Sequence, residues 1–387
     1  MFFRDIIGQE SVKQRLISSV QDNRVSHAQL FLGQEGSGNL ALALAYTRYV
    51  FCLSKGREDS CGTCSSCIKF NKYVHPDLHF MFPQVSKKVG KSESAQEEVK
   101  VSVLAEWRQA LLEHPYLNIH LWYEKIGVEN KQGFISVDDV AEMTRLLSLK
   151  PVESTYKAVI IWLPEKMRVD AANKILKILE EPPQHTLFIL VAENHDLLLS
   201  TVLSRVQLVK LNGLSEEQVV NALIETKGAD YHKAVGAARV ADGNYGLALD
   251  LALGEEEDHS GNGKLFIEWM RFCFQLQRDT SVTRDIISWV ETLAATGREQ
   301  QKGFLAYSLF MIRQAFLMNF AGENLVRLEE DELVFCRKFS PFVNSNNCER
   351  FTKEINDAYF QVERNANPKI LFLHLSFTIS RILQIKA

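Results

Sequence analysis

Apolar and polar positions change their period partway along this chain, and the change divides it. Between residues 28 and 211, short continuous apolar runs alternate with helical periodicity. A first segment predicts a capped helix, and Gln29-Leu30-Phe31-Leu32-Gly33 follows as a short buried strand entering a glycine-rich turn. Leu40 to Phe51 reads as a largely apolar helix, and Leu78, Phe80 and Phe82 alternate in a short strand ending at Pro83. Ile135 to Leu149 predicts a helix, Lys157 to Leu163 a buried strand, and Asp170 to Glu181 a helix. Pro182-Pro183 stops that helix, because proline lacks the N–H and collides with the preceding turn. Leu187 to Ala192 is another buried strand, Leu197 to Leu203 a short helical stretch, and Val206 to Leu211 a last strand. Strands that are apolar throughout are buried on both faces, so the pattern predicts an α/β parallel sheet covered by helices.

After Asn212-Gly213 the strand signals stop. Ser215 to about Leu253 reads as a small helical bundle, Gly254 to Gly263 as an acidic, glycine-containing linker, and Lys264 to Ala387 as helical and rich in Phe and Leu. Between Ser86 and Gly133 the chain turns polar, with Lys87, Lys88 and Lys91 followed by Glu93, Glu97 and Glu98. This stretch, with a helix carrying Leu104, Trp107, Leu111 and Leu112, is read as a solvated, partly mobile insertion. No internal repeat is found.

Composition adds bounds. At 387 residues the chain exceeds one core, so two or three domains are expected. A net charge of −4 argues against tight nucleic-acid binding by the chain as a whole, though not against a local basic patch. Met1-Phe2-Phe3-Arg4-Asp5 does not read as an export signal, and no run of eighteen apolar residues occurs, so no membrane span is expected. Seven cysteines, an odd number, point to a reducing, cytoplasmic compartment.

Strand, glycine-rich turn and helix together form the layout of a phosphate-binding loop. That loop needs G-x-x-x-x-G-K-[ST], with lysine for the phosphate oxygens and a hydroxyl for Mg²⁺. Here Gly33 and Gly38 frame it, but Asn39 stands at the lysine position and Leu40 at the hydroxyl position. Asn39 brings no charge, Leu40 cannot ligate a metal, and Glu35 adds a negative charge. The strand expected to end in an acidic pair ends Trp162-Leu163-Pro164, with Glu165 displaced along the chain. Two elements fail together, so no ATP is expected in this chain.

Cys52, Cys61, Cys64 and Cys67 follow C-x₈-C-x₂-C-x₂-C. Paired C-x₂-C spacing lets two thiolates reach one ion from a tight turn, so a structural, four-coordinate Zn²⁺ is expected. His75 is close in sequence and is read as structural.

Four stretches now resemble one family, the delta-prime subunits of bacterial DNA polymerase III clamp loaders. They are Ser26-His27-Ala28; the cysteine module with His75-Pro76-Asp77; the helix Ala171 to Pro183; and Leu199 to Arg205. Together they cover most of residues 1–210; the remainder matches only in helical character and length. The resemblance implies a RecA-like AAA+ domain over 1–212, with a zinc module at about 52–80 and an insertion at about 86–133. A helical lid over 213–255 and an all-α collar over 262–387 would follow. In the family a Ser-Arg-Cys signature carries an arginine finger into the neighbouring subunit's ATP site. This chain has Ser204-Arg205-Val206, keeping the arginine and replacing the cysteine. Where ATPase relatives keep a polar residue after the strand Phe188 to Val191, it has Ala192-Glu193, and Gly246 stands near a lid arginine position.

The implied function is that of a non-catalytic clamp-loader subunit. It would assemble with gamma/tau ATPase subunits and a delta subunit, and act on the sliding clamp and primed DNA through the complex. Two other readings are open to test: an unorthodox ATPase with Lys13 or Arg15 replacing the lysine, and a zinc-ribbon nucleic-acid module using Lys69 and Lys72.

Overall fold

The structure, a computed structural model, describes residues 1–85, 93–127, 133–253, 257–276, 278–323, 326, 328 and 330–386. It divides into two compact units, Met1–Ala252 and Leu253–Ala387.

The first unit is built on five parallel strands: β1 (Ala28–Leu32), β2 (Leu78–Met81), β3 (Lys157–Trp162), β4 (Thr186–Ala192) and β5 (Gln207–Lys210). Their spatial order is β2-β3-β4-β1-β5. β3 and β4 are buried at every position, which explains their unbroken apolar runs. Edge strand β5 buries only Val209.

Helices α1 (Glu10–Gln21), α2 (Asn39–Phe51), α3 (Ser65–Phe70), α4 (Glu93–Glu113), α5 (Ile119–Lys125), α6 (Val137–Ser148), α7 (Val169–Glu180) and α8 (Ser200–Leu203) surround the sheet. One face packs Phe31, Ile160 and Trp162 against α1, α2, α4 and α5, with every residue of α2 buried. The other packs Leu30, Val159 and Ile161 against α6, α7 and α8. Successive strand residues thus serve opposite layers, the parallel-sheet architecture that the pattern predicts. Helix α1 forms where expected but lacks a side-chain cap, its N-terminal Gln9 standing in the left-handed region.

The segment read as a solvated insertion departs from that expectation. Trp107, Leu111 and Trp122 are fully buried in the main core. Trp107 stacks on Phe82 at 4.2 Å between ring centres and meets Trp122 and Trp162 at 5.1 Å each. Two indoles bury far more apolar surface than the preceding charge run signals. Lys87, Lys88 and Lys91 lie outside the described residues.

Asp77 and Lys157 stand at the N-terminal ends of β2 and β3. The Asp77 carboxylate accepts backbone N–H groups of Val152, Glu153 and Ser154 at 2.6, 2.8 and 2.8 Å. Lys157 donates to the carbonyls of Leu146 and Leu147, closing the C-terminus of α6.

Helices α9 (Glu216–Lys227), α10 (Tyr231–Ala241) and α11 (Tyr245–Leu253) follow β5 and share their own apolar core. The second unit holds α12 (Glu257–Gln275), α13 (Thr283–Ala295), α14 (Arg298–Ala321), α15 (Glu330–Phe339), α16 (Cys348–Glu363) and α17 (Pro368–Ile382). From Glu257 onward, the stretch read as a linker is therefore helical. The stacked indoles of Trp269 and Trp289, 5.5 Å apart, sit in the core, and Trp269 donates to Ser376 Oγ at 2.8 Å. Gln300–Ala321 is long and apolar enough, by length and composition, to cross a membrane. Within the bundle its Phe304, Leu305, Met311, Ile312 and Ala315 are buried core residues.

Candidate functional site: a covered glycine-rich turn, a four-cysteine cluster and a surface arginine

Gly33 to Gly38 turn from β1 into α2, with Gly36 and Gly38 at φ +74° and +87°, where a side chain would be strained. Asn39, at the lysine position, is buried. Its Nδ2 donates to Gly33 O and Ala192 O at 3.1 and 3.2 Å, and its Oδ1 accepts Leu40 N–H at 2.8 Å. The amide thus ties the loop to the end of β4, and Leu40 points into the core.

The chain's own side chains cover the loop. Tyr116 lies against Gly38, where an added Cβ would come within 3.0 Å of its ring. Its hydroxyl accepts Ile7 N–H at 3.0 Å, and its ring meets Tyr245 at 4.9 Å. Glu35 accepts from the amides of Asn118 and Asn244, both at 3.3 Å. Tyr245 N–H donates to Gly36 O, and a Cβ on Gly36 would run into Asn244. Gln9 Nε2 donates to Ser37 O at 3.3 Å and to Asn212 O at 2.7 Å. Lys13, weighed as a substitute for the missing lysine, donates to Ile6 O at 2.6 Å and pairs with Glu10. Arg15 is exposed on α1. Glu165 spends one oxygen on Glu193 N–H at 2.9 Å; its other oxygen has no hydrogen-bond partner among the described residues, and burial pushes its carboxyl above the usual range.

The sequence singles out Asn39 and Leu40 in this turn but not the side chains that lie over it. Tyr116 and Asn118 sit in the segment read as an insertion, and no local pattern marks them as neighbours of Gly38 and Glu35.

The four cysteines do come together: the sulfurs of Cys52, Cys61, Cys64 and Cys67 lie within 4.8 Å of one another. Backbone N–H groups of Cys61, Cys64 and Cys67 donate to the sulfurs of Cys52, Cys61 and Cys64 at 3.3, 3.3 and 3.4 Å. Such bonds favour thiolates, and those from Cys64 and Thr63 pull the Cys61 thiol down to about 6, whereas burial pushes Cys52 up to about 12 and also raises Cys67. A tetrahedral zinc site with Zn–S near 2.3 Å requires S–S edges of about 3.8 Å; Cys61 and Cys67 Sγ are 4.0 Å apart. This donor set fits Zn²⁺. His75 is outside it: buried, its Nδ1 accepts Asp77 N–H at 3.2 Å and its ring packs on Phe51 and Phe70. Lys69, proposed for nucleic acid, pairs with Glu153.

Arg205 follows α8 on the outside of the unit, its side chain 31% exposed. Nη1 donates to Thr201 O at 2.7 Å and to Ser204 Oγ at 3.1 Å, so Ser204 helps to hold the guanidinium. Nε donates to Glu180 Oε1 at 2.7 Å, and Nη2 pairs with the same oxygen. Val206, in place of the signature cysteine, is partly buried against the core.

A family model described as "DNA polymerase III, delta subunit" matches residues 8–215. The chain belongs to this family. It is 28% identical over 249 residues to DNA polymerase III subunit delta' of Bacillus subtilis (strain 168), covering 64% of this chain and 60% of that relative. It is 26% identical over 244 residues to DNA polymerase III subunit delta' of Escherichia coli (strain K12), covering 62% and 59%. Each match thus spans about three fifths of the relative. A gamma subunit-related protein of Thermotoga maritima is similar over 97% of this chain and 99% of that chain, at 17% identity and a TM-score of 0.36. The five-stranded parallel sheet, its helical layers and the helical C-terminal unit accord with the expected fold class.

Proposed function

We propose that this delta-type chain is a non-ATPase clamp-loader subunit, acting as delta-prime does. In this reading it assembles with gamma/tau ATPase subunits and a delta subunit, and Arg205 enters the ATP site of a neighbouring ATPase subunit. The complex then loads the sliding clamp onto primed DNA. The three-part division into AAA+ core (1–212), lid (213–255) and collar (262–387) belongs to the same proposal.

One observation carries the reading. The phosphate loop holds Asn39 and Leu40 where charge and a metal ligand are required, and Tyr116, Asn118 and Asn244 lie over its glycines and Glu35. A nucleotide would find the amide of Asn39 where a lysine is needed for its β/γ phosphates and would have to displace those side chains. The guanidinium of Arg205, by contrast, is at the surface and keeps a permanent charge, suited to the oxygens of a transferring phosphoryl group.

Two measurements test it. Titration of the isolated chain with a fluorescent ATP analogue and Mg²⁺ is expected to show no micromolar binding. In a complex reconstituted with ATPase and delta subunits, Arg205→Ala is expected to leave assembly intact and to lower DNA- and clamp-stimulated ATP hydrolysis. Unchanged hydrolysis rejects the finger role.

A further inference from the structure

Arg48 lies on α2, one turn before Cys52, and is only 2% exposed. Its Nη1 donates to Met1 O at 3.4 Å, whereas Nε and Nη2 have no hydrogen-bond partner among the described residues. No carboxylate forms an ion pair with it among the described residues. The nearby acids are committed elsewhere: Asp5 accepts Phe2 N–H at 2.8 Å, and Asp59 accepts Arg4 N–H at 3.1 Å and Ser60 N–H at 2.7 Å. A guanidinium cannot shed its proton, so burying it without a counter-charge is costly.

The four-cysteine cluster is what adjoins it. An added Cβ on Gly62, in the turn between Cys61 and Cys64, would lie 3.6 Å from Arg48 Nη2. The Phe2 ring covers the guanidinium at 3.7 Å and itself abuts Gly62. Four thiolates around one Zn²⁺ carry a net charge of −2, and a buried dianion needs a nearby cation as much as a buried guanidinium needs an anion.

We infer that Arg48 is the buried counter-cation of a zinc tetrathiolate and, through Met1 and Phe2, ties the N-terminal segment to the metal module. This rests on the zinc reading of the four cysteines. Charge compensation makes each partner's presence conditional on the other, so the sign of a substitution depends on whether metal is bound.

The test uses the full chain and Zn²⁺ alone, with affinity measured by competition against a chromogenic chelator. Arg48→Met is expected to weaken zinc binding about ten- to hundredfold, and Arg48→Lys, which keeps the charge, to weaken it less. Melting is expected to show Arg48→Met less stable than wild type with zinc, but equally or more stable once zinc is stripped, since the uncompensated charge is gone. Should Arg48→Met not fold, Arg48→Gln against Arg48→Lys makes the same comparison of affinity. Equal zinc affinity for charged and neutral variants overturns the inference, as does equal destabilisation with and without metal, which is the mark of packing alone. A wild-type chain that binds no zinc rejects the zinc reading instead.

Discussion

Arg205 and Glu180 form an ion pair across the ends of two helices, with Nε donating to Glu180 Oε1 at 2.7 Å while Nη1 is anchored on Thr201 O and Ser204 Oγ. The carboxylate takes the edge of the guanidinium with which arginine otherwise grips an oxyanion. If Arg205 acts on a neighbour's nucleotide, phosphate oxygens must replace Glu180. An exposed pair of this kind is worth at most about 1 kcal/mol. Glu180→Gln is therefore expected to raise stimulated ATP hydrolysis of the assembled complex by about two- to fivefold. Adding Arg205→Ala should abolish that gain. A fall in rate for Glu180→Gln alone would instead make Glu180 a positioning residue for the guanidinium.

Restoring the motif is not expected to restore the site. In Asn39→Lys with Leu40→Thr, the lysine must enter a buried position whose amide now joins Gly33 and Ala192. The threonine replaces a core leucine. The double variant is expected to lose about 2–4 kcal/mol of stability and still to show no micromolar nucleotide binding in a fluorescence titration. Tight binding would mean that Tyr116 and Asn244 move aside readily.

The aromatic cluster gives a stability contrast within a single helix. Trp107 is fully buried among Phe82, Trp122 and Trp162, whereas Leu112, on the same helix, is 51% exposed. Trp107→Ala is expected to cost about 3–5 kcal/mol. Leu112→Ala should cost about 0.5 kcal/mol or less, with both values read from urea denaturation. Equal, small effects would return this segment to the role of a surface insertion.

Asp77 gives a pH dependence. Burial raises its carboxyl, but the N–H groups of Val152, Glu153 and Ser154 outweigh that and hold it below its ordinary 3.8. A depressed carboxyl stabilises the fold above the unfolded value, and that contribution is lost as pH falls below 3.8 toward the folded value. Asp77→Ala is expected to cost about 3 kcal/mol at neutral pH. The cost should shrink as pH drops below 3.8, where the unfolded chain takes up a proton that the folded Asp77 accepts only at lower pH. A pH-independent cost in denaturant titrations between pH 3 and 7 would contradict this account.

Local pattern determined much of this protein. The runs at Lys157–Leu163 and Leu187–Ala192 announced doubly buried strands, because a strand covered on both faces needs apolar residues at every position. The C-x₂-C spacing announced the four-cysteine cluster, since two sulfurs on one tight turn need no distant partner to meet. The departures of Asn39 and Leu40 from the phosphate-loop pattern were legible because that pattern is short and its chemistry is fixed by position. What lies over that loop was not legible, and neither were the burial of Trp107 and Trp122, the solitary charge of Arg48, or the hold of Glu180 on Arg205. Glu35 meets Asn118 and Asn244 across 83 and 209 residues, and Arg205 meets Glu180 across 25. Periodicity constrains a residue against its neighbours in sequence, whereas these contacts join elements whose approach is set only when the sheet is packed on both faces.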